Sequence, residues 1–118
     1  MSIELEQKIA KPWGKEKIII HGDRYIIKTL HIAASHGTSV HLHTVKDESL
    51  TLLEGEGTLL LFDDLSSDPD RIQMEFGEWY RILPNQIHRI ESSTGGHVIE
   101  VSTPELDDTI RLIDPYIR

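Results

Sequence analysis

The sequence predicts an all-β fold, a small β-barrel or jelly roll, and three observations carry that expectation. Short runs rich in Ile, Val, Leu and Thr recur about nine or ten times, each closed by Gly, Pro, Asn, Asp or Ser at the spacing of a sandwich or barrel. No stretch sustains the apolar period of a long helix, and there is no heptad, repeat or low-complexity tract. With 118 residues, 38% of them hydrophobic but only 6% aromatic, the chain has one modest core, and aliphatic side chains must fill it. We therefore expect a single domain over residues 1–118, with its core within roughly 24–113.

Residues 1–10 set Ile3, Leu5 and Ile9 between charges, which suits an edge strand or a short arm. Lys11-Pro12-Trp13-Gly14 breaks any regular element, because proline lacks an amide hydrogen, and Trp13 reads as a hydrophobic plug at one end of the core. The β-branched run Ile18 to Ile20 stops at the turn-like His21-Gly22-Asp23. A longer strand, Arg24 to Ala33, puts Ile26, Lys28, Leu30 and Ile32 on one face and Tyr25, Ile27, Thr29 and His31 on the other. Both faces are largely apolar, so we expect it to be covered on both sides. Lys28 then stands in an apolar row. A long amine usually snorkels outward, and pointing inward it needs an anion.

His36-Gly37 signals a turn, Val40 to Thr44 a short strand, and Glu48 to Leu53 the next. Gly55-Glu56-Gly57 suggests a tight hairpin into Thr58 to Phe62. The acidic run from Asp63 to Asp70 lacks the EF-hand spacing and reads as a solvated hairpin tip. Strands follow at Arg71 to Phe76, Trp79 to Leu83, Ile87 to Glu91 and His97 to Ser102, with turns at Gly77-Glu78 and Pro84-Asn85. Glu105 to Asp108 could form one helical turn before a last apolar segment, Ile110 to Ile113.

A formal charge of −8 argues against nucleic acid or an anionic membrane as a partner, since both call for a basic patch. The absence of cysteine excludes disulfides, thiolate metal sites and cysteine nucleophiles. Met1 to Lys11 has no apolar run of signal-peptide length, and nothing later approaches the roughly 20 apolar residues of a membrane span. A cytoplasmic protein is the expectation.

The chemistry gathers at His41-Leu42-His43-Thr44-Val45-Lys46-Asp47-Glu48. Two histidines two residues apart on a strand point to the same side. Glu48 follows after a gap long enough for the chain to bend back, and His88 waits downstream. Imidazole with carboxylate suits divalent first-row metals. His41, His43, Glu48 and His88 are therefore the candidate metal ligands, and such a set leaves open positions on a five- or six-coordinate ion. The same ligands serve Zn, Mn, Fe, Ni, Co and Cu. His21, His36 and His97 read as surface or turn residues, and His31 as a candidate to line the barrel.

With Gly37 and Gly55 added, the stretch resembles the first motif of the cupins, and His41-x-His43-x4-Glu48-x6-Gly55 fits it closely. The second motif is matched in spacing from Gly77 to His88, with Leu83 in the usual proline place and Asn85 in the usual glycine place. Asn tolerates left-handed backbone angles best among non-glycine residues, so that turn survives. Ser92 stands near the motif's terminal Asn position, which is not a metal ligand. A narrower resemblance runs through Lys11-Pro12-Trp13-Gly14, Tyr25 and Lys28, Pro84, His88-Arg89-Ile90-Glu91, Ile99-Glu100-Val101 and Asp108 to Tyr116. These segments look like the C-terminal cupin of type II mannose-6-phosphate isomerases, often fused to a GDP-mannose pyrophosphorylase domain. Here the stand-alone form is expected. The family commonly has Gln at the His41 position, Gly-Thr-Pro where Asn85-Gln86-Ile87 stands, and an ending like D-R-Y-G-R in place of Asp114-Pro115-Tyr116-Ile117-Arg118.

The resemblance implies a cupin β-barrel (a double-stranded β-helix) with one divalent transition metal, acting on a sugar or sugar phosphate as a mannose-6-phosphate-like isomerase. It also implies a homodimer. Lys28 and Arg111 become candidates for gripping a phosphate, because an anion in a low-dielectric cavity needs a fixed cation, although a surface ion pair suits each equally well. Glu100 becomes a candidate base. Two other functions fit the same ligands: a non-catalytic cupin that binds a small sugar or metabolite through its metal, and a metal-dependent oxygenase with a 3-His-1-Glu iron site.

Overall fold

The computed structural model describes residues 7–115. Its strands are β1 (Gln7–Lys11), β2 (Gly14–His21), β3 (Ile26–Ile32), β4 (His36–Gly37), β5 (Val40–His43) and β6 (Glu48–Gly55). They continue as β7 (Thr58–Phe62), β8 (Asp70–Gln73), β9 (Trp79–Ile82), β10 (Ile87–Ser92), β11 (Gly96–Ser102) and β12 (Thr109–Ile113). Twelve strands thus replace the nine or ten expected, because the short pairs at His36 and Gln7 also join ladders. No helix occurs among the described residues, and none is long and apolar enough to cross a membrane. The helical turn expected at Glu105 to Asp108 is absent; the stretch runs through bends, and the Asp108 carboxylate accepts the Val45 and Lys46 amides instead.

The strands form two antiparallel sheets, β1-β2-β3-β11-β6-β9 and β12-β5-β10-β7-β8, with β4 added beside β10. Both place an apolar face inward, closing a barrel of the double-stranded β-helix type. β1 settles the first element as an edge strand from Gln7; Ile3 and Leu5 lie outside the described residues. Pro12 and Trp13 make its two-residue turn into β2. Gly14 ends that turn at φ 152°, and a Cβ there would run into the His31 carbonyl oxygen, so only glycine fits. Trp13 is buried in the core, as its position in the sequence suggested.

The turn at Gly55 departs from expectation. β6 and β7 do not pair: β6 lies in the first sheet between β11 and β9, and β7 in the second between β10 and β8. Gly55-Glu56-Gly57 is a crossing between sheets rather than a hairpin. Gly55 takes φ 80°, and a Cβ on it would strike the Gly95 carbonyl oxygen. By contrast, the acidic run does form the β7–β8 hairpin tip, with Asp64 Oδ1 accepting from the Ser66 and Ser67 amides.

The inner face of the first sheet is graded from apolar to polar. Across β3, β11 and β6, one row reads Leu30, Val98, Leu52. The next reads Lys28, Glu100, Leu50, and the one after Ile26, Ser102, Glu48. Leu30, Leu52 and Val98 pack with Trp13, Leu59, Met74, Ile82 and Ile90 into the hydrophobic core. That leaves a polar half-barrel beside it. β3 is buried on this face only, so the double coverage expected from its apolar outer residues is corrected: Ile27, Thr29 and His31 are half-buried on the outside. A six-stranded sheet with one solvated face explains the alternation.

Candidate metal centre

The strand Val40–His43 lies between β12 and β10, with His41 directly opposite both Arg111 and His88. Directly paired residues share a face, so one row carries Arg111, His41 and His88 into the barrel. His43 sits two residues on, opposite Thr109. The ligand atoms of His41, His43 and His88 all lie within 4.8 Å of one another. Glu48 reaches them from the opposite sheet. Its Oε1 stands 3.0 Å from His88 Nε2 and 3.7 Å from His43 Nε2. The turn between His43 and Glu48 carries the chain from one sheet to the other, and Asp108 pins it through the Val45 and Lys46 amides at 3.0 and 2.7 Å.

Each imidazole is held by its second nitrogen. His41 Nδ1 donates to the Ser39 carbonyl at 2.8 Å, and His88 Nδ1 to the Gln86 carbonyl at 2.8 Å. His43 Nδ1 stands 3.2 Å from Thr109 Oγ1 and 3.4 Å from Asp108 Oδ1. These partners assign the proton of His41 and His43 to Nδ1, and all three Nε2 atoms face inward, as in ligating histidines, with that of His88 in hydrogen-bond contact with Glu48 Oε1. Burial first, then the neighbouring His88, pushes the His41 imidazole down to about 2. Burial, followed by Lys46, brings His43 down to about 4. Both rings are neutral at pH 7, the form that binds metal.

Glu48 is 3% exposed, and its second oxygen, Oε2, is buried without a hydrogen-bond partner. Burial and the adjacent Glu100 carboxylate push its carboxyl up to about 7, against the opposing pull of His88. A buried carboxylate oxygen with nothing to accept from is a position for an ion or water. The neutral imidazoles of His41 and His43, the inward Nε2 atoms and this buried oxygen fit a divalent transition metal, which the three histidines could hold.

Glu100, Lys28 and Arg111 line the same cavity, which has a volume of about 300 Å³. Lys28 turns inward, against the usual outcome for such a lysine, and finds the anions that this demands: Glu16 Oε1 at 3.2 Å and Glu100 Oε2 at 3.7 Å. Burial lowers its ammonium, but Glu100 and Glu16 together raise it above the usual lysine range. Burial likewise raises Glu100, yet Lys28 and Lys46 pull it below the usual carboxylate range. Arg111 is exposed at the rim. His31 does not line the barrel; it faces outward on β3, against His97.

Lys46 had no assigned role from sequence, yet it is 3% exposed with its Nζ 3.8 Å from Glu100 Oε2. Its place between His43 and Glu48 was the available signal, since a chain returning to the site carries its linker with it. Glu16 and Asp108 also belong to the site, and nothing in their local sequence marks them.

A double-stranded β-helix with an H-x-H strand, a facing glutamate and a third histidine from a distant strand defines a cupin. Within that class, the chain belongs to the mannose-6-phosphate isomerase C-terminal family, whose model matches residues 1–114. It is 26% identical over 119 residues to mannose-1-phosphate guanylyltransferase of Escherichia coli (strain K12), covering 97% of this chain and 24% of that protein. It is 28% identical over 117 residues to mannose-1-phosphate guanylyltransferase 2 of Escherichia coli O157:H7, covering 93% and 23%. The chain thus spans about a quarter of the length of these curated relatives. Among solved structures it is similar to the capsular polysaccharide assembling protein CapF from Staphylococcus aureus, with a TM-score of 0.80 at 18% identity, over 93% of this chain and 32% of that one. It is also similar to KdgF from Halomonas sp., with a TM-score of 0.69 at 17% identity, over 89% and 90%. These structural likenesses show the fold.

Proposed function

We propose that the chain is a metal-dependent sugar-phosphate isomerase of the mannose-6-phosphate type, interconverting an aldose phosphate and its ketose isomer. One observation carries the reading: a single cavity holds the histidine trio facing Glu48, a second buried carboxylate flanked by lysines, and Arg111 at its rim. The family of the chain supports the substrate class. His41, His43, His88 and Glu48 would hold one divalent transition metal, which when bound supplies Lewis-acid polarisation of a carbonyl and stabilises negative charge on neighbouring oxygens. The proton work falls to the chain. Glu100, buried and ionised, would take the proton from C2 and return it to C1. Lys28 and Lys46 would keep it ionised between turnovers. Arg111 would grip the phosphate, because its planar guanidinium matches two phosphate oxygens. Lys28 is the weaker candidate for that grip, since Glu16 and Glu100 already occupy its charge. The apolar walls from Trp13, Leu30, Leu50 and Ile90 would exclude water.

A second reading is a non-catalytic, metal-dependent binder of sugars. The net downward position of Glu100 favours it, because a carboxylate held by two lysines is a weak base. A homodimer in the cytoplasm accompanies both readings, and the exposed Ile110, Leu112 and Ile113 on the edge strand β12 support a covered face there. The test is turnover of mannose 6-phosphate with each divalent metal in turn. Activity that disappears in Glu100→Gln supports the isomerase. No rate above background with any metal ends that reading, and sugar-dependent thermal stabilisation in the same samples supports the binder.

A further inference from the structure

The ladder between β11 and β6 breaks at a point the barrel site does not use. Val98 pairs with Leu52, but the preceding residue, His97, pairs with Glu54, so Leu53 is an extra residue on β6. Regular pairing would have set the outward-facing Leu53 opposite His97. The bulge sets a carboxylate there instead, and bulges commonly re-aim a side chain in this way. On its other side His97 is directly opposite His31 of β3.

Three ligand-type side chains from three adjacent strands therefore form one outward row. The His31 and His97 rings lie against each other on the outer face. Glu54 Oε2 stands 3.6 Å from His97 Nδ1. They border a depression of about 380 Å³ that Gly14, Gly55, Gly95 and Gly96 also line. This row lies on the opposite face of the sheet from Lys28, Leu30 and Val98, so it shares no residue with the barrel cavity.

We propose that His31, His97 and Glu54 form a second metal site, on the outer face of the sheet that holds β3, β11 and β6, for a divalent ion of the zinc, nickel or copper type. Two imidazole nitrogens on one tetrahedral ion stand about 3.3 Å apart, given metal–nitrogen bonds of about 2.0–2.1 Å. His31 and His97 are directly cross-strand with Glu54 beside His97, and rotation about the side-chain torsions of all three would bring their ligand atoms onto one ion. Glu54 supplies an oxygen ligand and offsets the charge of the ion. Partial burial, and next the charge of Lys15 opposite it on β2, hold His31 below the usual histidine range, so its imidazole is neutral at pH 7. A neutral His31 disfavours an anion, and the carboxylate beside His97 does the same. Lys15 opposes the ion, but it is exposed and free to turn into solvent. Water completes the coordination shell.

The experiment is equilibrium dialysis of the full chain against Zn²⁺, with metal counted by elemental analysis. Three proteins are compared: wild type, His31→Gln/His97→Gln, and His41→Gln/His88→Gln, with far-UV circular dichroism confirming each fold. The wild type is expected to retain two ions and each double variant one. Glu54→Gln is expected to weaken the outer site about tenfold. The proposal is overturned if His31→Gln/His97→Gln retains as many ions as the wild type, or if the wild type retains none. Failure of the barrel site reads differently: the wild type then holds one ion, and His31→Gln/His97→Gln removes it.

Discussion

Lys28→Met removes the one inward cation that answers both Glu16 and Glu100, and its cost follows from burial. The Lys28 and Glu100 side chains are each 7% exposed and Glu16 is 12% exposed, so solvent cannot replace the lost ammonium. Breaking a buried ion pair from one side costs roughly 3–5 kcal/mol, because the remaining charge stays desolvated. Lys46 remains 3.8 Å from Glu100, which places the expectation near 3 kcal/mol. A loss of that size lowers the melting temperature by roughly 10 °C in a domain of this length. Glu100 lies below its usual value of 4.5, so its stabilisation is present above that pH and is lost as pH falls through its folded value. Lys28 lies above 10.5, so its contribution is full below that pH and is lost as pH rises through its folded value. Both contributions are complete at pH 7.5, where the deficit is largest, and it shrinks in acid as the stranded carboxylates protonate. Urea unfolding followed by tryptophan fluorescence reads the change. The pair argument also requires that Glu100→Gln added to Lys28→Met recover part of the loss. A deficit below about 1 kcal/mol, or strictly additive costs in the double variant, refutes the reasoning.

Three further outcomes are expected. His88→Ala lowers the transition metal retained by the purified chain by one equivalent relative to wild type, read by elemental analysis, and an unchanged content removes His88 from the ligand set. Asp108→Ala strips the acceptor from the Val45 and Lys46 amides and the carboxylate from beside His43. It costs about 1–3 kcal/mol in a urea titration and weakens metal retention against a chelator about 10–100-fold. Asn85 takes φ 69°, and its amide donates to the His43 carbonyl at 2.7 Å. Asn85→Gly is expected to leave stability nearly unchanged, while Asn85→Val costs about 1–2 kcal/mol, and equal urea midpoints for the two variants count against that account.

The strand rhythm and the ligand spacing were legible because both are local. Alternation shows from a few neighbouring residues, and so does the tolerance of Asn85 for a left-handed turn. What could not be read was pairing between distant strands. Gly55-Glu56-Gly57 carries the composition of a hairpin, and only the partners of β6 and β7 reveal a crossing between sheets. Lys28 snorkels outward by habit, and only Glu16 and Glu100, contributed by the strands on either side of it, reverse that. His31 has apolar companions that suggested a barrel lining, yet the strict alternation of β3 sends it outward once Ile26 and Lys28 point in. Lys46 and Asp108 gain their roles from a turn and a loop that meet across more than half the chain, which no short motif encodes.

The polar half of the barrel also couples the site to the fold. His41, His43 and His88 belong to one sheet and Glu48 to the other, so an ion bound by all of them would tie the two sheets together. Glu48 Oε2, buried with no donor beside it, is the position on the second sheet that such an ion would fill. Metal binding should therefore register as stability. At a free metal concentration of 100 times Kd, linkage adds about 2.7 kcal/mol. Glu48→Gln separates the two contributions: it removes the buried charge, so the metal-free variant should equal or exceed the wild type in urea, while its gain on adding metal falls well below that of the wild type. A variant that gains as much from metal as the wild type would place Glu48 outside the ligand set and leave the ion on the three histidines of a single sheet.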